Sequence, residues 1–417
     1  MMNYEQAMQF VEGFSRSGKP VRDLSRIAYL MEQLDKPQEK LRFVHIAGTN
    51  GKGSVAEYLT NIMIESGYRT GTFTSPYIRH YTDRIRLNGH DIPQNDLCRI
   101  CEKVSQHIKG DEGYSQFEIT MTIAFLWYIE QKAEIVILET GMGGLLDCTN
   151  IIPPPLCSVI TSISFDHMAI LGNTLEEIAT QKAGIIKTSS PVVISPNNQA
   201  ENILVENATQ KGCEVIIPDL SGNFCHIQNV HGLEKSRFTY DGIDYEIKMC
   251  GMHQIENAVT ALETVNVLRR NEFLIAVSSV QRGLEKTAVA GRIQILSENP
   301  LIVLDGGHNR DGISALSYVL EESGISEWVG ICGMTHADAV PYAVQTMAKY
   351  LDKVYCVDGF TGNAVKSEIL CNAFLQYHVS AEIIAIENAL LQAKRQGKAI
   401  IIFGSLYLAS WYLNQEG

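Results

Sequence analysis

Residues 48–54 read G-T-N-G-K-G-S and hold the residue types that bind phosphate. Glycines let backbone N–H groups approach phosphate oxygens, and Lys52 adds a positive charge. An apolar run, 41–47, precedes the segment, and residues 54–66 follow it with apolar side chains at helical spacing. The strict pattern G-x-x-x-x-G-K-[ST] is not met, because position 46 is isoleucine and Gly53 separates Lys52 from Ser54. An ordinary strand-to-helix turn is the alternative.

Three further ionisable residues stand at or near the ends of predicted elements. Glu139 ends the apolar run 134–139, and a charged group there needs a partner or an ion. The alternative is a glutamate that caps a helix or forms a salt bridge. Taken alone, His167 would be a surface-loop histidine, and Lys182 would be a solvated lysine on the helix predicted over 175–183.

The elements that must position these residues alternate between strand and helix. The pattern predicts that a mainly parallel sheet, covered on both faces, comes first. An antiparallel hairpin around Asp241-Gly242 follows, and the alternation then restarts after a helix. The predicted strands are 41–47, 69–74, 134–139, 157–164, 191–195, 301–304, 328–332, 353–357 and 398–403, the hairpin is 236–249, and further helices are 114–131, 254–270 and 406–413.

The predicted fold class is α/β with two domains. A P-loop-type, mainly parallel sheet domain with a small β-rich addition covers 1–292, and a smaller Rossmann-like α/β domain covers 293–417. The boundary is placed where the helical pattern stops and a new α/β unit begins. A chain of 417 residues is long enough for two or three cores.

Composition excludes some classes of partner. The chain has 34 lysines and arginines against 47 aspartates and glutamates, so its formal charge is −13. Nucleic acid is therefore excluded as the main partner, because phosphate-backbone binding needs a basic face. No signal sequence or membrane span is expected, and the ten scattered cysteines suggest reduced thiols. We expect a cytoplasmic protein, by default a monomer, that acts on small molecules.

An ordered series of motifs resembles the folylpolyglutamate synthases and dihydrofolate synthases of the Mur ligase superfamily. The resemblance begins with the glycine-rich segment at 48–54 and spans about residues 40–410. The further motifs are T-S-P at 74–76, D-R-I-R-L-N-G at 83–89, F-E-I-T at 117–120, E-T-G-M-G-G at 139–144 with L-D at 146–147, S-F-D-H at 164–167, L-G-N-T at 171–174, Q-K-A-G-I-I-K at 181–187, H-Q at 253–254 with N-A at 257–258, G-R at 291–292, D-G-G-H-N at 305–309 and G-S-L-Y at 404–407.

The resemblance implies an ATP-dependent ligase that joins the amine of glutamate to a folate carboxylate through an acyl phosphate. It implies ATP as co-substrate and Mg²⁺, with two ions expected. The implied magnesium ligands are Ser75, Glu139 and His167, and the implied catalytic residues are Lys52, Lys182 and His308, with Lys182 as a carbamate. The implied ATP contacts are Thr49, Asn50, Gly51, Lys52, Gly53, Ser54, Asn257, Arg292 and Asp305, and the implied folate contacts are Phe117, Glu118, Thr120, Leu146 and Asp147.

The chain departs from the family pattern at several positions. Tyr77 replaces a histidine, Leu145 an arginine, Gln181 a glutamate and Arg310 a proline. Residues 333–338 (G-M-T-H-A-D) lack the family's D-K-D, and 362–365 (G-N-A-V) lack its P-R-A. Because the phosphate loop, Glu139, His167 and Lys182 positions are intact, ATP and magnesium binding are expected to survive. The family's arginines at the Leu145 position and in P-R-A are missing, and these lost positive charges bear on which acceptor substrate is bound.

Two other functions stay open on the sequence. A Mur-type ligase acting on a UDP-sugar peptide would need an additional N-terminal domain, and only 47 residues precede Gly48, which disfavours it. A P-loop ATPase or a non-catalytic nucleotide-binding protein would keep the phosphate loop without ligase chemistry. The sequence also leaves open whether dihydrofolate synthesis, polyglutamate addition or both take place, and how long a glutamate chain is made.

Overall fold

The computed structural model of the chain describes residues 2–15, 23–110, 112–222, 225–229, 232–233 and 235–415. Two compact units share these residues: Met1–Ser221 with Glu256–Lys286, and Gly222–Ile255 with Thr287–Gly417. Residues 222–255 therefore group with the C-terminal part of the chain. The domain prediction of 1–292 and 293–417 stays a prediction that differs from these units in that segment and in residues 287–292.

The first unit is built on an eight-stranded sheet in the order β4-β3-β2-β5-β1-β6-β7-β8. The pairs from β2 to β8 are parallel, and β3 and β4 add antiparallel strands at one edge. The central strands are continuously apolar, as strands buried on both faces must be. Their bounds are β1 Phe43–Ala47, β2 Thr70–Phe73, β3 Ile85–Leu87, β4 His90–Asp91, β5 Ile135–Glu139, β6 Cys157–Ile160, β7 Val192–Ile194 and β8 Val215–Ile216.

Helices of the first unit cover this sheet, and the prediction of a mainly parallel α/β domain is confirmed. The buried helix α5 begins at a capping box, in which Ser115 and Glu118 satisfy each other's backbone N–H groups. The helices are α1 Tyr4–Glu12, α2 Ser25–Gln33, α3 Lys52–Glu65, α4 Gln94–Ser105, α5 Gln116–Glu130, α6 Met168–Leu171, α7 Leu175–Ala183 and α8 Glu201–Gln210, and later in the chain α9 Met252–Arg270, which begins in the second unit, and α10 Val277–Lys286.

The strand predicted over 157–164 ends early, at Ile160. Its last residues turn back onto the glycine-rich loop, because Ser162 O accepts a hydrogen bond from Thr49 N (2.7 Å) and Ser162 forms an isolated bridge with Asn50. The pairing of this segment with the loop replaces pairing within the sheet. Residues 161–164 therefore support the loop instead of extending β6.

The second unit contains a three-stranded antiparallel sheet and a six-stranded sheet in the order β12-β13-β17-β14-β15-β16. The predicted hairpin is present, with Asp241-Gly242 as its two-residue turn. In the larger sheet only β12 is antiparallel. The elements are β9 Cys225–Asn229, β10 Ser236–Tyr240, β11 Ile243–Ile247, β12 Gln294–Glu298, β13 Leu301–Leu304, α11 Arg310–Glu322, β14 Trp328–Cys332, α12 Val340–Met347, β15 Leu351–Cys356, α13 Ser367–Gln376, β16 Ser380–Ile383, α14 Ile386–Lys394, β17 Ala399–Phe403 and α15 Leu406–Gln415.

Two remaining observations concern the chain as a whole. Within the described residues, no helix combines the length and the apolar character that crossing a membrane requires. All ten cysteines lie in the described ranges, none forms a disulfide, and nine are buried. Cys98 and Cys101 both lie buried on α4.

Candidate active site

The glycine-rich loop lies between β1 and α3, as predicted. Gly51 caps α3 with φ +87, in the left-handed region that favours glycine. A Cβ atom at Gly51 would lie 2.3 Å from Oδ1 of Asn257, so the amide of Asn257 is packed directly on the loop. The structure thus brings together two predicted ATP positions that are far apart in sequence.

Lys52 begins α3, and its side chain folds back over the loop. Its Nζ donates to Gly48 O (3.0 Å) and Thr49 O (3.1 Å). Thr49 Oγ1 donates to Ser164 O and also accepts from Ser164 N, both at 3.1 Å. The loop residues predicted to contact ATP therefore lie on one short segment at the N-terminus of a 14-residue helix. They are Thr49, Asn50, Gly51, Lys52, Gly53 and Ser54.

Glu139 ends β5 and lies beside Ser75, which follows the neighbouring strand β2. Ser75 N donates to Glu139 Oε2 (3.1 Å), and the Glu139 side chain is 4% exposed. A Cβ atom at Gly53 would lie 4.0 Å from the same carboxylate oxygen. The carboxylate therefore lies next to the phosphate loop, where a cation between it and a phosphate would be favoured.

Lys182 is not a solvated lysine. It is 3% exposed, and its Nζ donates to Gly48 O (2.7 Å) at the start of the phosphate loop. Burial, with the nearby charge of Lys52, lowers the pKa of Lys182 to about 7. A large fraction of its amine is therefore neutral near neutral pH.

His167 lies in the loop after β6 and stays accessible. Its φ of +50 places it in the left-handed region, and its N–H donates to Asp166 Oδ1 (2.8 Å). The imidazole Nε2 lies 3.8 Å from Asp166 Oδ2, and the side chain is 43% exposed. His167 is thus an exposed loop histidine with a carboxylate within ion-pair distance of its ring.

The first turns of α5 carry the predicted folate residues Phe117, Glu118 and Thr120. The Glu118 carboxylate is buried and takes two hydrogen bonds from the guanidinium of Arg26, at 2.9 and 2.5 Å. Thr120 Oγ1 accepts from Tyr81 OH (2.9 Å) and is also buried. Phe117 is half-buried, and a Cβ atom at Gly141 would lie 2.6 Å from its ring. Phe117 therefore packs directly on the loop that follows Glu139.

The loop after β5 carries the other two predicted folate residues. Leu146 is exposed (39%), as is its neighbour Leu145, the residue in the arginine position of the family pattern. Asp147 is buried, and its carboxylate accepts from Met142 N (2.8 Å) and Thr149 N (3.0 Å). Burial raises the pKa of Asp147, while these hydrogen bonds oppose the rise.

The second unit holds the predicted residues Arg292, Asp305 and His308. Asp305 follows β13 and is buried, and its carboxylate accepts from Ile293 N (3.0 Å) and Gly307 N (2.8 Å). Burial raises the pKa of Asp305, and the charge of Arg292 opposes the rise. The ring of His308 packs on that of His336, with centroids 5.3 Å apart.

The residues of the first unit fit a magnesium ion. Ser75 and Glu139 offer a hydroxyl and a carboxylate oxygen on adjacent strand ends, and oxygen is the donor that Mg²⁺ prefers. In the described parts of the chain, no group of three or more His, Cys, Asp or Glu side chains could hold a metal by itself.

Sequence reasoning missed several residues that support this site. Arg26 pairs with Glu118, and His45 reaches Thr149 beside Asp147. The spacing S-x-x-E at 115–118 and the D-x-T at 147–149 are local capping signals that could have marked Glu118 and Asp147 as internally bonded. Arg26 and His45 carry no comparable signal, because their partners are 92 and 104 residues away.

Comparison with known proteins gives consistent matches. Residues 46–265 match the model of the Mur ligase middle domain. The chain is 34% identical over 365 residues to a dihydrofolate synthase/folylpolyglutamate synthase of Bacillus subtilis, covering 84% of this chain and 83% of the relative. It is 32% identical over 336 residues to a folylpolyglutamate synthase of Lacticaseibacillus casei, covering 77% of each chain.

Solved structures agree over nearly the whole chain. A folylpolyglutamate synthase of Thermotoga maritima superposes with a TM-score of 0.85 at 28% identity, covering 99% of this chain and 96% of that one. A complex described as FPGS–AMPPCP–folate superposes with a TM-score of 0.85 at 27% identity, covering 100% of both chains. By its sequence, its fold and its ordered motifs, this chain belongs to the folylpolyglutamate synthase/dihydrofolate synthase family of Mur ligases.

Proposed function

We propose that the protein is an ATP-dependent ligase that adds L-glutamate to a reduced folate, and that it also accepts dihydropteroate. The observation that carries the proposal is the convergence of the phosphate loop, the Ser75–Glu139 pair and the buried Lys182 within one unit. A relative that carries both activity names, and a related complex with an ATP analogue and folate, support the same substrates.

The chemistry requires activation of a carboxylate, which is a poor electrophile because its leaving group would be oxide. The carboxylate oxygen of the folate attacks the γ-phosphorus of ATP, giving an acyl phosphate and ADP. The amine of glutamate then attacks the acyl carbon, an amide bond forms, and inorganic phosphate leaves. Lys52 and the backbone N–H groups of residues 49–54 would hold the nucleotide phosphates during both steps.

Two Mg²⁺ ions are proposed at this site. Ser75 and Glu139 would hold one, and His167 would hold the second. When bound, the ions would supply Lewis-acid stabilisation of phosphate charge. Glu139 is suited to this because its carboxylate is fixed by Ser75 N and faces the loop glycine Gly53. His167 is suited because its ring is accessible and the Asp166 carboxylate lies nearby.

Lys182 is proposed to carry a carbamate. Its neutral amine would form an N–C bond to CO₂ and lose a proton to water, so that a side chain that is otherwise a cation becomes an anion beside the phosphate loop. The lowered pKa of Lys182 supports this, because only the neutral amine adds CO₂. Gln181, where the family pattern has glutamate, removes one negative charge next to the new anion.

The acceptor is proposed to bind against the start of α5 and the loop after β5. Phe117 and Leu146 offer apolar surface, while Glu118, Thr120 and Asp147 fix the backbone that presents it. In the second unit, Arg292, Asp305 and Asn309 lie in or next to loops at strand ends. Asn257, Arg292 and Asp305 are each proposed to contact ATP. His308 is proposed to face the reacting groups.

The partners proposed are ATP, a folate or dihydropteroate, and L-glutamate. We propose that the protein acts as a monomer in the cytoplasm, a compartment in which cysteines without disulfides are usual. Light scattering of the purified chain measures its mass in solution. A stable dimer would contradict the proposed monomer.

The proposed function is tested by phosphate release from ATP with the purified protein. Glutamate is combined in turn with dihydropteroate, dihydrofolate, tetrahydrofolate and a UDP-sugar peptide. The masses of the products are measured by mass spectrometry. Release that needs both a folate-type acceptor and glutamate, with a product heavier by one glutamate residue, supports the proposal. Release without any acceptor would favour an ATPase, and release with the UDP-sugar peptide would favour another Mur-type ligase.

A further inference from the structure

A chain of three side chains runs from the middle of the central strand β1 to the loop after β5. His45 is fully buried on β1, and its Nε2 lies 2.9 Å from Thr149 Oγ1. Thr149 Oγ1 lies 2.6 Å from Asp147 Oδ1 and donates to it. None of the chemistry proposed above uses His45 or Thr149.

The number of protons on each side chain decides which atom donates in each of these two hydrogen bonds. The Thr149 hydroxyl has one proton, and the Asp147 carboxylate can only accept it. The hydroxyl must therefore accept from His45, so the His45 proton sits on Nε2. Burial lowers the pKa of His45 to about 3, so the ring stays neutral at physiological pH. Its Nδ1 has no hydrogen-bond partner in the described part of the chain.

The series of hydrogen bonds from His45 ends at the Asp147 carboxylate, which accepts hydrogen bonds from residues on both sides of the loop 143–146. Asp147 Oδ2 accepts from Met142 N (2.8 Å), and Oδ1 accepts from Thr149 N (3.0 Å). Between these points the loop lies against the C-terminal turn of α7. Leu145 N donates to Gln181 O (2.7 Å). A Cβ atom at Gly144 would lie 2.8 Å from the backbone oxygen of Lys182. A shift of Asp147 would therefore move residues 142–146 across α7.

We propose that His45 and Thr149 are positioning residues that act through Asp147 to fix the loop 142–147 against which the acceptor substrate binds. This inference rests on the proposed function for the identity of the acceptor. Neither residue would touch substrate, because both are buried beneath the loop. Leu145 and Leu146, exposed on the same loop, are the surface whose position they set.

The direct test replaces the hydroxyl of Thr149. Thr149→Val keeps the shape but leaves the His45 N–H and one Asp147 lone pair without their partner, whereas Thr149→Ser keeps the hydroxyl. We expect Thr149→Val to raise the KM for the folate acceptor about tenfold and to leave the KM for ATP within about twofold, and Thr149→Ser to restore both. An equal rise of both KM values, or a failure of serine to restore them, would overturn the proposal.

A double-mutant cycle tests whether His45 acts through Thr149. His45→Phe removes the N–H donor and keeps an aromatic ring. If the two residues form one chain, His45→Phe raises the acceptor KM in the native background and adds less than about twofold in the Thr149→Val background. Fully additive effects would contradict the inference. Thermal unfolding of each variant identifies any that fail to fold.

A measurement without activity separates this inference from the proposed function. In protein with ¹⁵N-labelled histidine, the imidazole of His45, assigned with His45→Phe, should be neutral from pH 6 to 8, because burial lowers its pKa to about 3. Its one proton should be on Nε2, because the Thr149 hydroxyl donates to Asp147 and accepts from this nitrogen. A proton on Nδ1 would overturn the chain of hydrogen bonds. If the native protein shows the Nε2 proton but no folate-dependent activity, the proposed function fails, and the assignment of the loop to a folate acceptor fails with it.

Discussion

Buried polar residues of the first unit differ in their surroundings from the segments of the second unit that have lost family motifs. In the first unit, Lys182 and Glu139 are buried and bonded to backbone groups of neighbouring loops. In the second unit, the segments that lack the family's D-K-D and P-R-A, 333–338 and 362–365, include the partly exposed His336 and the exposed Asn363. A change at a buried, bonded position leaves its partner unsatisfied, whereas an exposed position tolerates substitution. The departures of this chain accordingly include exposed positions of both units, Tyr77 and Leu145 in the first and Asn363 in the second.

The largest expected effect is the loss of Lys182. Lys182→Ala should lower kcat at least about a hundredfold, because an anion beside the phosphate loop would be lost. Short carboxylic acids such as acetate should restore part of the activity by occupying the space of the carbamate. Full activity of Lys182→Ala without added acid would contradict the carbamate and the importance of this buried position.

The next effect concerns magnesium. Glu139→Gln keeps the size of the side chain but removes the charge, so the Mg²⁺ concentration that gives half-maximal activity should rise about 10–100-fold. The matched control is Glu134→Gln, an exposed residue just before the same strand, which should leave the Mg²⁺ dependence unchanged. Removal of Mg²⁺ by chelation should abolish activity of the native protein. An unchanged Mg²⁺ requirement in Glu139→Gln would place the ion elsewhere.

A stability measurement tests the burial of Lys182 directly. In the fold, its pKa is about 7, whereas an unfolded lysine titrates near 10.5. Between these pH values the unfolded chain binds a proton that the fold does not, so stability falls as the pH drops from about 10.5 to 7 and then levels off. Lys182→Met should therefore melt at a higher temperature than the native protein at pH 7.

The melting difference should shrink as the pH approaches 10.5, where Lys182 is neutral in both states. The exposed Lys366→Met is the control, and its melting temperature should follow that of the native protein at each pH. A Lys182→Met protein that is less stable than the native one at pH 7 would show that the charged amine stabilises the fold.

The smallest expected effect is in the second unit. Asn363→Arg introduces a positive charge where the family pattern P-R-A has one, at an exposed position in contact with Thr361. An exposed charge contributes up to about 1 kcal/mol, so the KM for an anionic substrate should fall by no more than about fivefold. Asn363→Gln should leave it unchanged. A change above a hundredfold would mean that this loop controls substrate binding as strongly as the nucleotide loop does.

Much of the fold was predictable because hydrophobic runs and turn residues are local signals. The strand 301–304, the helix 175–183 and the Asp241-Gly242 hairpin lie where they were expected. The strand after residue 157 was predicted too long, because its end is set by pairing with the distant loop at Thr49 and Asn50. Local periodicity contains no information about such a partner.

The candidate site was predictable where residues follow a motif and less so where tertiary contacts decide. The phosphate loop and Glu139 stand at ends of strands, as inferred from spacing. The burial of Lys182 could not be read from its helix, because it depends on contact with Gly48, 134 residues away. The same holds for the pairing of Arg26 with Glu118 and of His45 with Thr149.

The most direct test of the central claim combines phosphate release with product mass in one reaction. Native protein, ATP, Mg²⁺, L-glutamate and a reduced folate should release one phosphate for each glutamate added, and omission of either the folate or glutamate should stop the release. Stoichiometric coupling of this kind is the predicted result. Phosphate release that continues without folate and glutamate, with no heavier product, would contradict the assignment of a ligase.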